Sequence, residues 1–260
     1  MLDRPEKTEG ILLRTKITVP FIPPECIHRH RLIERIDRGV KGPLTLLVAP
    51  AGYGKTILLT DWAKTACFPV CWLRVDPNDN DLNRFFNYLL FSLHSFEPTL
   101  GDDALEFLQS GRDTGVETGL TLIINEIADL NTEVTLVLDD FQSITNPSIL
   151  QSISFLLKNQ PRNFHVIISS RNDPDLDLVY FRVKNRIVEL DMNDLRFTGR
   201  EVELFFRQAM NLNLPRETIL ELEDRTDGWI AGLQLAAITM RDESNPTILL
   251  ANFQRDAQFL

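Results

Sequence analysis

Apolar residues along the chain follow two rhythms. Short, nearly unbroken runs at residues 44–48, 70–75, 134–138, 166–169 and 187–190 read as strands buried on both faces. Between them, segments 57–66, 82–96, 119–131, 147–159 and 178–184 carry helical spacing. In the second of these, Leu82, Phe85, Phe86, Leu89, Leu90, Leu93 and Phe96 recur at three- and four-residue steps along one stripe. Alternation of this kind predicts an α/β fold with a parallel five-stranded sheet covered by helices on both faces.

The flanks read differently. Val19-Pro-Phe-Ile-Pro-Pro24 excludes a continuous helix, and a basic helix with Leu32, Ile33 and Ile36 on one face follows over 28–37. After residue 190 the strand signals stop. Thr198-Gly-Arg-Glu201 is a capping box, in which hydroxyl and carboxylate each satisfy a free amide, and it opens a helix carrying Val202, Leu204, Phe205, Phe206 and Ala209. Helical patterns at 217–225 and 229–241 follow. Residues 1–190 therefore predict one domain and residues 191–260 a small all-helical companion. Residues 254–260 read as a helix without a stop signal, so the chain reads as part of a longer protein.

Candidate chemistry sits where the first strand meets the next helix, at Ala49-Pro-Ala-Gly-Tyr-Gly-Lys-Thr56. Glycines let a backbone wrap a phosphate with its amides pointing inward, and the helix N-terminus adds positive potential. Lys55 would reach the β- and γ-phosphates of a nucleotide, and the Thr56 hydroxyl would bind magnesium. Ala49 stands where the usual pattern has Gly, which is acceptable where φ is negative. The strand of residues 134–138 runs into Asp139 and Asp140, suited to magnesium and to polarising a water; solvated acids ending a strand are the plainer alternative. A further buried strand ends in Ser169-Ser-Arg171, and Arg171 is placed to sense a γ-phosphate or to sit in a surface ion pair.

Composition narrows the field. Lys and Arg number 27 against 37 Asp and Glu, a formal charge of −10, which argues against this segment contacting DNA or RNA. Cys26, Cys67 and Cys71 are too few for a disulfide framework; buried reduced thiols account for them better than zinc. No run of about 18 apolar residues and no secretion signal is present, which reads as a cytoplasmic chain.

These motifs carry a resemblance. The chain resembles the ATPase module of the STAND NTPases, in particular the MalT-like branch of large LuxR-type transcriptional regulators. The matching stretches run from Leu12-Leu-Arg-Thr-Lys-Ile-Thr-Val-Pro20 and Arg29-His-Arg-Leu-Ile-Glu-Arg35 through the phosphate loop. They continue with Cys71-Trp-Leu-Arg-Val-Asp76, Leu136-Val-Leu-Asp-Asp-Phe141, Ser170-Arg171, Leu195-Arg-Phe-Thr198 and Gly228-Trp-Ile-Ala-Gly-Leu-Gln-Leu-Ala236. The resemblance implies a P-loop NTPase with strand order 5-1-4-3-2 that binds ATP or ADP with Mg2+. It implies nucleotide contacts from Arg29, Ala51, Gly52, Tyr53, Gly54, Lys55, Thr56, Ile57 and Gln234. Gln234 stands where relatives carry a Pro that packs on adenine. Thr56 and Asp139 would serve the metal, and Asp140 and Arg171 hydrolysis and γ-phosphate sensing. The implied role is a slow ATPase switch controlling self-association of a transcriptional activator, with inducer and DNA bound by regions outside this chain and no membrane contact. A metabolic phosphotransferase and a nucleic-acid-stimulated ATPase are the alternatives.

Overall fold

A computed structural model describes residues 12–109 and 115–242. The C-terminal helix expected over 254–260 lies outside the described residues. Five strands form one parallel sheet: β1 (Leu44–Val48), β2 (Val70–Arg74), β3 (Val134–Asp139), β4 (Phe164–Ser170) and β5 (Ile187–Leu190). Their spatial order is β2-β3-β4-β1-β5, which is the 5-1-4-3-2 order expected. This is the P-loop NTPase fold.

Alternation between two covered faces explains why the strands are mostly apolar, with Thr45, Thr135 and His165 among the buried polar exceptions. Leu44 and Leu46 of β1, Leu136 and Leu138 of β3, and Val166 and Ile168 of β4 face one layer. That layer holds α3 (Leu82–His94), α4 (Asp102–Gln109), α5 (Gly115–Asp129), α6 (Pro147–Asn159) and α7 (Val179–Val183). Leu47, Val137 and Ile167 face the opposite layer with α1 (His30–Gly39) and α2 (Lys55–Thr65). Successive strand residues point to opposite faces, and both faces are covered.

Boundaries moved where a polar residue found a partner inside. β4 starts at Phe164, earlier than residue 166, because buried His165 is satisfied: its Nδ1 pairs with the Gly42 carbonyl and its Nε2 with Thr45 Oγ1 at 3.1 Å. Burial pushes this imidazole down to about 4, so it stays neutral in the core. Helix α4 was not expected, and α1 and α5 are displaced from the sequence reading by two to four residues. The cysteines also differ from expectation: Cys71 is buried, but Cys26 is half-buried and Cys67 exposed.

After β5 come α8 (Met192–Leu195), α9 (Gly199–Leu204) continuing into a π-helical stretch over Phe205–Ala209, α10 (Arg216–Thr226) and α11 (Ile230–Asp242). Both halves of the Thr198–Glu201 capping box are formed. Phe206, Val202, Leu222, Leu233 and Ala237 build a separate apolar cluster, which Ile27 joins from the N-terminal segment. No helix among the described residues is long and apolar enough to cross a membrane.

Leu136 is fully buried in β3, whereas Val183 is 80% exposed. Leu136→Ala is expected to cost about 2–5 kcal/mol in urea unfolding and Val183→Ala less than about 0.5 kcal/mol. Equal costs would contradict the placement of the core.

Candidate functional site

The C-terminal ends of β1, β3 and β4 converge on the first turn of α2. Gly52 and Gly54 both have φ of 79°, a left-handed conformation that glycine adopts without strain. Ala49 is not among the described residues with positive φ, so a methyl group is tolerated there. Gly54 caps α2 without any side-chain hydrogen bond. Among the described residues, the main-chain N–H groups of residues 51–57 have no protein acceptor. The first backbone bond of the junction runs from the Leu58 N–H to the Gly54 carbonyl at 2.9 Å. Free first-turn amides at a helix N-terminus form a positively polarised cradle.

Lys55 is buried, and its ammonium donates to the Ala49 carbonyl at 2.5 Å and the Pro50 carbonyl at 3.0 Å. Burial lowers its pKa; Asp140 and Asp139 act the other way, and Arg171 adds to the lowering. Asp139 is fully buried at the end of β3, with Thr56 Oγ1 donating to its Oδ2 at 2.8 Å and Ser169 Oγ donating to its Oδ1. Burial raises the Asp139 pKa, and the two hydroxyl donors oppose that rise. Among the described residues Asp139 has no ion-pair partner.

Asp140 follows in the left-handed region, at φ 60°. A non-glycine residue in that conformation persists only where its surroundings fix it. Here Arg74 Nε donates to its Oδ2 at 3.2 Å and Gln142 Nε2 to its Oδ1 at 3.1 Å. Gln142 also accepts the Arg171 N–H at 3.1 Å, tying the ends of β3 and β4 together. The exposed Arg171 side chain has no ion pair among the described residues. It opens with Lys16, Arg74, Asp140 and Gln142 onto a polar cavity of about 750 Å³.

A second, mostly apolar cavity of about 240 Å³ lies beside the start of α2. Gly54, Ile57, Ile230, Gln234, Phe205 and Met210 line it, so the π-helical stretch supplies part of its wall. Arg29 reaches the same wall, but its guanidinium is engaged elsewhere. It donates to Glu201 through Nε at 3.2 Å and Nη2 at 3.1 Å, to the Leu195 carbonyl at 3.0 Å and to the Arg196 carbonyl at 2.7 Å. It also stacks 4.2 Å from the Phe197 ring centroid. Arg31 binds Glu201 as well, at 3.0 Å and 3.1 Å.

Of the residues singled out from sequence, Gly54, Ile57, Arg29 and Gln234 meet at the apolar cavity, and Lys55, Thr56 and Asp139 meet at the loop. Asp140 and Arg171 share the polar cavity. Ala51 and Gly52 turn their carbonyls to the helices after β5, and Tyr53 packs on the α1–α2 layer. Sequence reasoning missed Ser169, Gln142, Arg74 and Glu201 as site residues. Only Glu201 had a signal, its place in a capping box.

No family model matches the chain. Among solved structures, a STAND protein with a tetratricopeptide repeat sensor from Pyrococcus horikoshii aligns over 88% of this chain, with a TM-score of 0.62 and 20% identity. This chain spans 32% of that protein. Cdc6p from Pyrobaculum aerophilum gives a TM-score of 0.53 at 15% identity over 94% of this chain and 67% of its own. The Drosophila ORC bound to DNA gives 0.54 at 10% identity, over 97% and 69%. At such low identity these likenesses establish the fold.

Burial raises the Glu201 carboxyl, but hydrogen bonds and charge from Arg29 and Arg31 outweigh it and bring the pKa down to about 2. A depressed acid stabilises the fold above its ordinary range, and that contribution is lost as pH falls through the folded value. Stability is therefore expected to fall between pH 4.5 and 2 partly through Glu201. Glu201→Gln should lower the urea midpoint at pH 7 and flatten its decline in that window. An unchanged pH profile would contradict the network.

Proposed function

We propose that this chain is the ATP- or ADP-binding switch module of a signalling ATPase, belonging to a MalT-like regulator of transcription. The observation that carries this reading is the row of acceptor-free amides at residues 51–57, with the Lys55 ammonium and the Thr56 hydroxyl beside it. Such a cradle suits the β- and γ-phosphates, which would replace the Ala49 and Pro50 carbonyls as partners of Lys55.

The apolar cavity next to Gly54 and Ile57 suits a purine base, with Gln234 at its rim. Thr56 and Asp139 offer hard oxygen donors, and a fully buried carboxylate with two hydroxyl partners and no ion pair favours a nearby cation. These two residues would hold magnesium, which when bound supplies charge neutralisation for the phosphates. Asp140 lies next to this site with its carboxylate held by Arg74 and Gln142, suited to orienting a water as its proton acceptor. Both of its oxygens are already engaged, which supports slow turnover and a regulatory use of the bound nucleotide.

The helices after β5 close directly over the loop, so nucleotide state and their docking are linked. In a regulator that carries this module with further segments, this link would control self-association, with inducer and DNA bound by those other segments. The polar cavity beside Asp140 and Arg171 favours a second reading, a phosphotransferase whose acceptor enters there. Phosphoryl transfer in a metabolite screen would select that reading.

Lys55→Ala is expected to weaken Mg-ADP binding by roughly 100-fold in calorimetry. Asp140→Ala is expected to leave binding within a few-fold and to slow ATP turnover. Unchanged affinity in the Lys55 variant would refute the site. Sedimentation of a regulator that carries this module, with ADP and with a non-hydrolysable ATP analogue, checks the switch, and identical assembly states would refute it.

A further inference from the structure

Trp229 sits where the phosphate loop meets the helices after β5. Its indole Nε1 donates to the Ala51 carbonyl at 3.0 Å, across 178 residues of sequence. Two residues on, the Ala231 N–H donates to the Gly52 carbonyl at 3.2 Å. Two successive carbonyls of the loop are thus held by donors from the start of α11.

Glycines on both sides make room for this contact. A Cβ on Gly52 would lie 2.6 Å from the indole nitrogen and 2.7 Å from the Ala231 methyl. A Cβ on Gly232 would lie 2.8 Å from Cε3 of the same ring. Real side chains do not approach that closely, so the ring is fitted between the loop it bonds and the helix it opens.

Peptide geometry gives the contact a consequence. In a trans peptide unit the C=O and the following N–H are fixed in one plane and point in opposite directions, and no cis bond occurs among the described residues. Holding the Ala51 and Gly52 carbonyls toward α11 therefore turns the Gly52 and Tyr53 N–H groups the other way. Both N–H groups belong to the stretch without protein acceptors.

We propose that Trp229 is a positioning residue for the phosphate site, setting the direction of the Gly52 and Tyr53 amides from α11. The proposal rests on the nucleotide reading above. Phosphate binding and the docking of α11 then share one pair of peptide units, and each strengthens the other by the same factor.

The test is calorimetric Mg-ADP binding to the wild type, W229F, W229A and G232A. W229F keeps a ring and loses the donor. G232A leaves Trp229 and every loop residue in place and intrudes mainly on the ring, touching the Thr226 methyl at 3.4 Å besides. About fivefold weaker binding is expected for W229F, the worth of one hydrogen bond, and a larger loss for W229A and G232A. The nucleotide-free melting temperature of W229F should fall by no more than a few degrees, since the same exposed bond is present without nucleotide. In the wild type, Mg-ADP should slow solvent exchange of the Trp229 indole N–H, followed by its NMR resonance. A packing role alone would lower the melting temperature of W229F by more than that and spare its affinity. Wild-type affinity in W229F, with indole exchange indifferent to ADP, overturns the proposal while leaving the nucleotide site standing. Failure of the wild type to bind ADP removes the nucleotide reading, and the proposal with it.

Discussion

A helix whose cap has no side chain to accept its first N–H groups leaves those donors without a protein partner, and α2, capped by Gly54, is such a helix. Its first turn and the loop before it present amides that no group among the described residues accepts. Ala51, Gly52 and Ile57 are exposed, so water can satisfy these donors, and an anion of the right size could take its place. The surroundings suit such an anion. Two left-handed glycines aim the loop, the Lys55 ammonium adds charge, and the buried Asp139 carboxylate stands behind Thr56.

Parallel pairing explains how remote residues reach this point. Leu138 lies beside Ile168 in the β3–β4 register, so the next residues, Asp139 and Ser169, are neighbours and their side chains bond. β1 lies on the other side of β4, which delivers the phosphate loop to the same end of the sheet. The helices after β5 are fastened at two places. Arg29 and Arg31 grip Glu201 on one side, and Trp229 and Ala231 grip the loop carbonyls on the other. The loop thus shares direct contacts with the start of α11, and Gly54 and Ile57 share the apolar cavity with Ile230 and Gln234.

Much of this was legible in the sequence, for definite reasons. Strands in a covered parallel sheet are mostly apolar runs, so all five were visible and their order followed from the resemblance. Only their ends moved, as at His165, whose partners Gly42 and Thr45 are far away in sequence. Helix α4 is short and opens without a hydroxyl or amide cap in its sequence, and it was missed. Lys55 and Thr56 were visible because their chemistry is local. Ser169 was not, since its role depends on register. The left-handed turn at Asp140 and the second use of Glu201 depend on docking between distant segments, as does the fit of Trp229 between Gly52 and Gly232. Arg29, placed beside the nucleotide by resemblance, does line the apolar cavity, but its donors to Glu201 and two carbonyls come from segments far away in sequence and were not legible.

Backbone amide NMR during a Mg-ADP titration addresses the central claim most directly. The account predicts the largest shifts at the amides of residues 52–57, with smaller ones at the start of α11, together with slowed exchange of the loop protons. Shifts absent from that stretch, or concentrated elsewhere in the protein, would contradict it.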